Sequence, residues 1–366
     1  MLKSIKPLLI VVASTLILFT GFASPAMAQE ELDFNYHPYR LTTGMDLEQW
    51  MELPSPMLLA QNASGETTAS GTGADSMTEE ERAAAEAAMI AEALANPLSY
   101  LWLLFTQNDT YRYSGDILDA LGEDDKTMNT FLLMPVFSLQ LTEKWKTIIR
   151  PVIPINTFET IDEVTLQPGN LPPNVDFKKE TGIGDIVLWT AFSKKYEPPF
   201  VWGFGPTIMM NTASEDQLGT GKWSAGPMFL AMNISEKWII GGVAQHWWSF
   251  SGDDDFKVDT ILGPVTVDRP DVNLTDFQYI IRYRLNTLTN IGSAPNVRYN
   301  WETEQLNFPL GIGFDTLIKI GPLPVKVGAE VHYYAERSDD LGPEWLLRLY
   351  LIPVIPSPGW SREAIF

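Results

Sequence analysis

Residues 306–336 form the most regular stretch of the sequence, and they constrain the fold more than any other. Apolar side chains alternate with small or polar ones over 306–320, and the alternation resumes over 323–336 after a Gly321-Pro322 turn. Since successive side chains of a strand point to opposite faces, this period predicts two long β-strands. Strands of globular proteins usually have about 5–6 residues, so the length of these two strands favours a transmembrane β-hairpin. The hairpin alone leaves a soluble sandwich and a transmembrane barrel as alternatives.

The first 28 residues have the three parts of a secretory signal peptide. Lys3 and Lys6 form a basic n-region, residues 8–22 are apolar, and Ala-Met-Ala at 26–28 is a small-x-small cleavage site. No later apolar run approaches the roughly 20 residues that a membrane helix needs. The chain has no cysteine, so we expect an exported fold that is stabilised by extensive hydrogen bonding, as in a closed barrel.

Residues 29–96 differ from the rest in composition. The segment 62–76 is low-complexity and typical of a flexible linker, and 78–95 is an Ala- and Glu-rich predicted helix that Pro97 ends. The helix is interpreted as a periplasmic extension or linker, and a plug that enters the barrel is the alternative. The predicted organisation is a signal peptide (1–28), an N-terminal extension (29–96), a β-barrel (97–356) and a C-terminal tail (357–366).

Beyond Pro97, about twelve segments have strand-like patterns, and bacterial single-chain barrels have an even number of strands. The segments are 98–113, 129–141, 145–157, 183–194, 200–211, 223–234, 238–250, 276–286, 291–300, 306–320, 323–336 and 345–355. Short connections alternate strictly with long ones, and the long ones carry 24 acidic and 7 basic residues. The sequence therefore predicts an all-β fold, an up-and-down antiparallel transmembrane barrel of about 12 strands with a partly helical or disordered N-terminal periplasmic extension.

The polar faces of these strands are assigned to the barrel interior. The residues predicted to line the lumen are Asp276, Gln278, Arg282, Arg284, Asp315, Lys319, Lys326, Glu330, His332, Glu336 and Arg348. Because buried charges need partners, cross-strand pairs such as Asp315 with Lys326, or Glu330 with a nearby Lys or Arg, are expected. The sequence leaves open whether any one of them contacts a solute or only packs the interior.

Aromatic residues near strand ends are assigned to the membrane interfaces, where amphipathic rings are enriched. These residues are Trp145, Trp202, Trp238, Tyr283, Tyr333 and Trp345. Two of them, Trp145 and Trp238, begin strands after the nearly repeated turns LTEK and ISEK. Their position indicates one membrane boundary, on the side of the short turns.

The composition and the motifs argue against several classes of function. A formal net charge of -21 is the opposite of the basic footprint of nucleic-acid binding. There are three histidines, no G-x-S-x-G elbow and no zinc-like spacing, so we predict no enzyme, no metal site and no cofactor. His246, beside Trp247 and Trp248, is the weak candidate for a hydrolase site and is interpreted as an interface or lumen residue.

Six runs in order carry a family resemblance. They are TGIGDIVLWTAF (181–192), GFGPTIMMNTASEDQLGTGKWSAGPMFLAM (203–232), GGVAQHWWSFSGD (241–253), YNWETEQLNFPLGIG (299–313), PVKVGAEVHYYAE (324–336) and GPEWLLRLYLIP (342–353). In these runs the chain resembles the outer-membrane β-barrel family of the meta-pathway of phenol degradation. The resemblance implies a channel-like barrel, proposed to move small hydrophobic or aromatic solutes, without agreed catalytic residues.

The prediction is thus a channel or transporter-like barrel in the outer membrane of a Gram-negative cell, exported through a cleaved signal peptide. Its expected partners are outer-membrane lipids and lipopolysaccharide, a small-molecule solute and the barrel-assembly machinery. A non-transporting structural barrel, with acidic loops that bind cations and lipopolysaccharide, is the alternative from a different class.

Overall fold

A computed structural model describes residues 78–165, 174–194, 199–258, 265–355 and 357. The predicted signal peptide, the linker 62–76 and nearly all of the tail lie outside these residues. The helices are α1 (Glu79–Ala95), α2 (Asp116–Leu121) and a 3-10 turn (Asp216–Leu218). The strands are β1 (Trp102–Ser114), β2 (Lys126–Gln140), β3 (Trp145–Thr165), β4 (Asn174–Ile183), β5 (Ile186–Lys194), β6 (Phe200–Met210), β7 (Lys222–Ile234), β8 (Trp238–Gly252), β9 (Asp255–Val258), β10 (Val265–Asp268), β11 (Asn273–Arg284), β12 (Thr289–Ser293), β13 (Asn296–Asn300), β14 (Gln305–Ile320), β15 (Leu323–Glu336) and β16 (Gly342–Ile355).

The strands form a closed antiparallel barrel with twelve positions around its wall. Neighbours in the chain are neighbours in the wall, and β1 pairs with β16 to close it. Two positions are each shared by two short strands, β4 with β5 and β12 with β13, while β9 and β10 pair only with each other. The predicted fold class, a transmembrane up-and-down barrel of about 12 strands, is confirmed.

The hairpin of β14 and β15 matches the sequence prediction to within one residue. Its turn residue Gly321 has φ 61°, in the left-handed region that favours glycine. The prediction was wrong for the loop 158–182, because β3 continues beyond Thr157, where β2 stops pairing with it, and pairs with β4 alone. The paired part of both strands contains many charged residues, so its sequence lacks the apolar alternation by which the other strands were predicted.

Large apolar side chains cover the outside of the barrel. On β14 these include Leu310, Ile312 and Phe314, of which Ile312 is 64% exposed, and β16 exposes Trp345, Leu347, Leu349 and Leu351. Water-soluble monomers rarely expose a continuous apolar surface of this kind, whereas the lipid-facing band of a transmembrane barrel requires one. Among the described residues, no helix is both long and apolar enough to cross a membrane.

The interior has an apolar side and a polar side. Ile148, Trp189 and the inward residues Met228, Leu230 and Met232 of β7 are buried in one apolar cluster. Inward residues of β11 to β16 and β1 are mostly charged or hydrogen-bonding. The apolar side explains the weak alternation in 223–234, because the outward residues of β7 belong to the apolar exterior and its inward residues to this cluster.

Candidate functional site

A cavity of about 370 Å³ lies inside the barrel. Ten strands of the wall, with β6 and β7 not among them, contribute to its lining, which combines apolar side chains with three arginines and three aspartates. The charged residues are Arg150, Arg298, Arg348, Asp109, Asp185 and Asp276. A concave, partly apolar site with a few convergent charged groups is the usual form of a small-molecule site.

Helix α1 lies against the interior wall at the end of the barrel where the short turns are. No residue from Glu86 to Leu98 is exposed, although a surface helix keeps one face in water. Ala95 and Leu98 are buried in the apolar cluster. On its other side, Glu92 forms an ion pair with Arg284, and Glu86 lies 3.9 Å from Lys319. The helix therefore presents apolar residues to the apolar side of the interior and acidic residues to basic residues on its polar side.

At the opposite end, the loop 212–220 folds over the barrel. The Asp185 carboxylate accepts hydrogen bonds from the backbone N–H of Thr212, Ala213 and Thr220, at 3.2, 3.3 and 2.6 Å, and from the Thr220 hydroxyl. The buried side chain of Leu218 packs into a cluster with Met128 and Phe158. Asp185 thus holds a loop that narrows this mouth. Farther out, a hydrogen bond from Lys222 lowers the pKa of the exposed Asp254.

A network of charges occupies the polar side. Glu330, 1% exposed, accepts hydrogen bonds from Arg282 at 2.5 Å and from the Ser293 hydroxyl at 2.8 Å, and lies 2.9 Å from His332 Nε2. Asp315 pairs with Arg282 and, at 3.0 Å, with Lys326. The ion pair that the sequence analysis expected between Asp315 and Lys326 is present, and each carboxylate has several donors, as buried charges require.

The residues predicted to line the lumen fall into four groups. Asp276, Gln278 and Arg348 line the cavity, whereas Arg282, Asp315, Lys326, Glu330 and His332 form the adjoining buried network. Arg284 and Lys319 contact α1. Glu336 is exposed at the last residue of β15. The structure thus brings eight of these residues together and separates the other three from the cavity.

The aromatic residues assigned to the interfaces lie at both ends of the strands. Trp238 packs against Tyr283 at a centroid distance of 4.9 Å, near the short turns, and Tyr333 packs against Trp345 at 4.8 Å, near the long loops. Trp145 has the Lys194 ammonium 5.5 Å from its ring centroid, and Trp202 stacks on Phe204. These rings border the apolar exterior on two sides.

Sequence reasoning missed several residues of this site. Asp109 pairs with Arg348 at 2.9 and 3.0 Å, and Arg298 pairs with Asp276 at 2.8 Å. Arg150 also points into the cavity, and Glu92 holds α1. The alternation of β3 contains the signal for Arg150, since Lys146, Ile148, Arg150 and Asn156 share one face.

No accessible serine–histidine arrangement is found in the part of the chain that the structure describes. His246 lies on the outward side of β8, where Nδ1 is 2.7 Å from the Thr275 hydroxyl. Ser293, His332 and Glu330 do meet, but all three are buried and none lines the cavity. Within the same residues, no group of three or more His, Asp or Glu side chains is arranged to hold a metal ion.

No protein-family model matches the chain, and no curated protein matches it in sequence, so membership of the phenol meta-pathway family is not confirmed. Solved structures do match. An outer membrane channel from Pseudomonas putida F1 is 12% identical over 71% of this chain and 99% of its own, with a TM-score of 0.49. The toluene transporter TbuX of Ralstonia pickettii is 10% identical over 74% and 94%, with a TM-score of 0.39.

The β-domain of the Bordetella autotransporter BrkA is 11% identical over 70% of this chain and 100% of its own, with a TM-score of 0.40. These neighbours are outer-membrane β-barrel proteins. At such scores they carry no conclusion about a solute.

Proposed function

We propose that this chain is an outer-membrane channel for small solutes, and that its path is the barrel cavity with α1 as a plug. The observation that carries the proposal is the closed barrel with an apolar exterior and an interior cavity lined by both apolar and charged groups. A barrel that only served structure has no need of such a cavity. The short-turn end faces the periplasm in this proposal, because short turns of such barrels do.

The solute class follows from the lining. Apolar side chains such as Leu132, Val187 and Trp189 share the cavity with the arginines, which fits small solutes with an apolar, including aromatic, body. The phenol meta-pathway family of outer-membrane barrels, which the sequence resembles, agrees with this class. Lipids, lipopolysaccharide and the barrel-assembly machinery are the partners that follow from an outer-membrane location.

A structural barrel is the second candidate, and one observation favours it. The long connections carry 24 acidic and 7 basic residues, a charge that suits divalent cations bridging to lipopolysaccharide. Such a barrel needs no passage, so the two functions differ in whether α1 ever leaves its place.

Reversing the charge that holds α1 tests the channel. Glu92→Arg places two cations together at Arg284, so we expect the plug to loosen and the conductance in planar bilayers to rise several-fold. The double variant Glu92→Arg with Arg284→Glu restores opposite charges and is expected to return the conductance to that of the wild type. Ala84→Arg, at an exposed position of the same helix, is the control and should change nothing.

The structural alternative makes the opposite prediction. If neither the wild type nor Glu92→Arg carries current or small-solute flux after correct refolding into vesicles, the channel function is wrong. Refolding is checked by the barrel's circular dichroism, so a misfolded sample is not mistaken for a closed one.

A further inference from the structure

The cavity contains one charge that no other part of the described chain compensates. Arg348 is paired with Asp109, and Arg298 is paired with Asp276. Asp185 is satisfied by the loop that it holds. Arg150 alone has no carboxylate within ion-pair distance among the described residues, so the cavity holds an unpaired guanidinium.

The surroundings of Arg150 are poor in acceptors. One Nη lies 2.8 Å from the sulfur of Met134, a weak acceptor, and the guanidinium lies 5.3 Å from the ring centroids of both Phe105 and Trp189. Its Nε is buried and has no hydrogen-bond partner among the described residues. An arginine has five N–H donors in a planar fork, and most of these are unused here.

A partly buried guanidinium that has no carboxylate partner requires an anion or ordered water. The planar fork matches a carboxylate, with which it forms two parallel hydrogen bonds. Trp189, which lies directly opposite Arg150 in the β3–β5 pair, and Val187 line the same cavity. A ligand with its carboxylate on Arg150 therefore has apolar surface for the rest of its body.

We propose that Arg150 anchors a binding site for small monocarboxylates with an apolar or aromatic body. The site rests on the proposed function, since it gives the solute path a preferred class of solute. The two rings that flank the guanidinium limit the approach, so a bulky or polyvalent anion fits less well than a small flat one.

Binding of benzoate to the detergent-solubilised full chain, measured by calorimetry, tests the site. Benzyl alcohol has the same ring without the charge and is expected to bind about 10-fold more weakly or worse, because hydrogen bonds to charged groups are worth about that factor. Arg150→Gln should remove this preference, and Arg150→Lys should keep part of it. Arg112→Gln removes an exposed arginine that pairs with Asp125 in the β1–β2 connection, and it should bind benzoate as the wild type does.

Two further measurements separate the site from the channel. Binding is repeated in Glu92→Arg, so slow access past α1 cannot hide a site. Equal binding of benzoate and benzyl alcohol by the wild type and by Glu92→Arg overturns the site. So does a preference of Arg150→Gln for benzoate that is as large as that of the wild type. Flux of a neutral solute is measured in parallel: flux without benzoate preference contradicts only the site, whereas benzoate preference without flux contradicts only the channel.

Discussion

At the scale of single residues, the interior is organised by where its charges find partners. Strand alternation predicted from sequence that Asp315, Lys326 and Glu330 share the inner face, and the cross-strand pair of Asp315 with Lys326 followed directly. Alternation does not give the register between the first and the last strand, so the pairing of Asp109 with Arg348 at the β1–β16 seam was not predicted. Arg150 was missed because the absence of a carboxylate near it, among the described residues, becomes visible only in the assembled interior.

Glu330→Ala is expected to be strongly destabilising. The carboxylate is buried and accepts hydrogen bonds from Arg282, Ser293 and the backbone N–H of Ala294. Its loss leaves buried donors unpaired, which typically costs about 3–5 kcal/mol in the free energy of unfolding. Urea unfolding in lipid vesicles, followed by tryptophan fluorescence, measures it.

Glu336→Ala is the matched control for this prediction. It removes an exposed glutamate from the same strand, and such surface changes usually stay within about 0.5 kcal/mol. Equal effects of the two substitutions would mean that the network does not support the fold.

At the scale of elements, α1 and the loop 212–220 lie at opposite ends of the barrel that encloses the cavity. The sequence predicted a helix over 78–95, and its weak apolar stripe favoured a linker over a plug. The signal for its position lay in the barrel instead: strands such as β7 have apolar residues on both faces because one face meets lipid and the other meets the apolar cluster that includes Ala95 and Leu98. Helix periodicity alone does not contain that information.

One carboxylate, that of Asp185, forms several of the hydrogen bonds that hold the loop 212–220. Asp185→Ala removes the acceptor of three backbone N–H groups, so we expect the loop to open and its amides to exchange hydrogen at least several-fold faster. Hydrogen exchange measured by mass spectrometry over 212–222 reads this out. Glu215→Ala, an exposed residue of the same loop, is expected to leave exchange unchanged, and the prediction fails if both variants behave alike.

At the scale of the whole molecule, the apolar outer surface and the mixed polar and apolar inner surface of the barrel both follow from the alternating pattern of its strands. Strand number, chain-order pairing and the apolar outer face were all predictable, because each follows from local periodicity and connection length. Loop structure was not: the β3–β4 ribbon and the β9–β10 hairpin lie in acidic segments whose patterns are dominated by charge. The contrast shows that a membrane imposes a stronger sequence pattern than a water-exposed loop does.

The lipid-facing surface predicts a cost that depends on depth. Ile312, midway along β14, is 64% exposed, and Phe250, near the long-loop end of β8, is 67% exposed. Arginine at the midplane typically costs about 2–4 kcal/mol, and near an interface about 0–1 kcal/mol. We therefore expect Ile312→Arg to lower the free energy of unfolding in vesicles well beyond Phe250→Arg. Equal costs would show that the apolar exterior is not in hydrocarbon.

In the proposed channel, the short connection between α1 and β1 limits how far the helix can move away from the barrel. Only residues 96–101 separate the helix from the first strand, and six extended residues reach about 20 Å. A displaced helix therefore stays within that distance of its position in the barrel, because the linker attaches it to the wall beside the β1–β16 seam. Its local concentration at the mouth therefore remains high and reclosing is unimolecular. Openings of such a channel should be brief, and their duration should not depend on protein concentration.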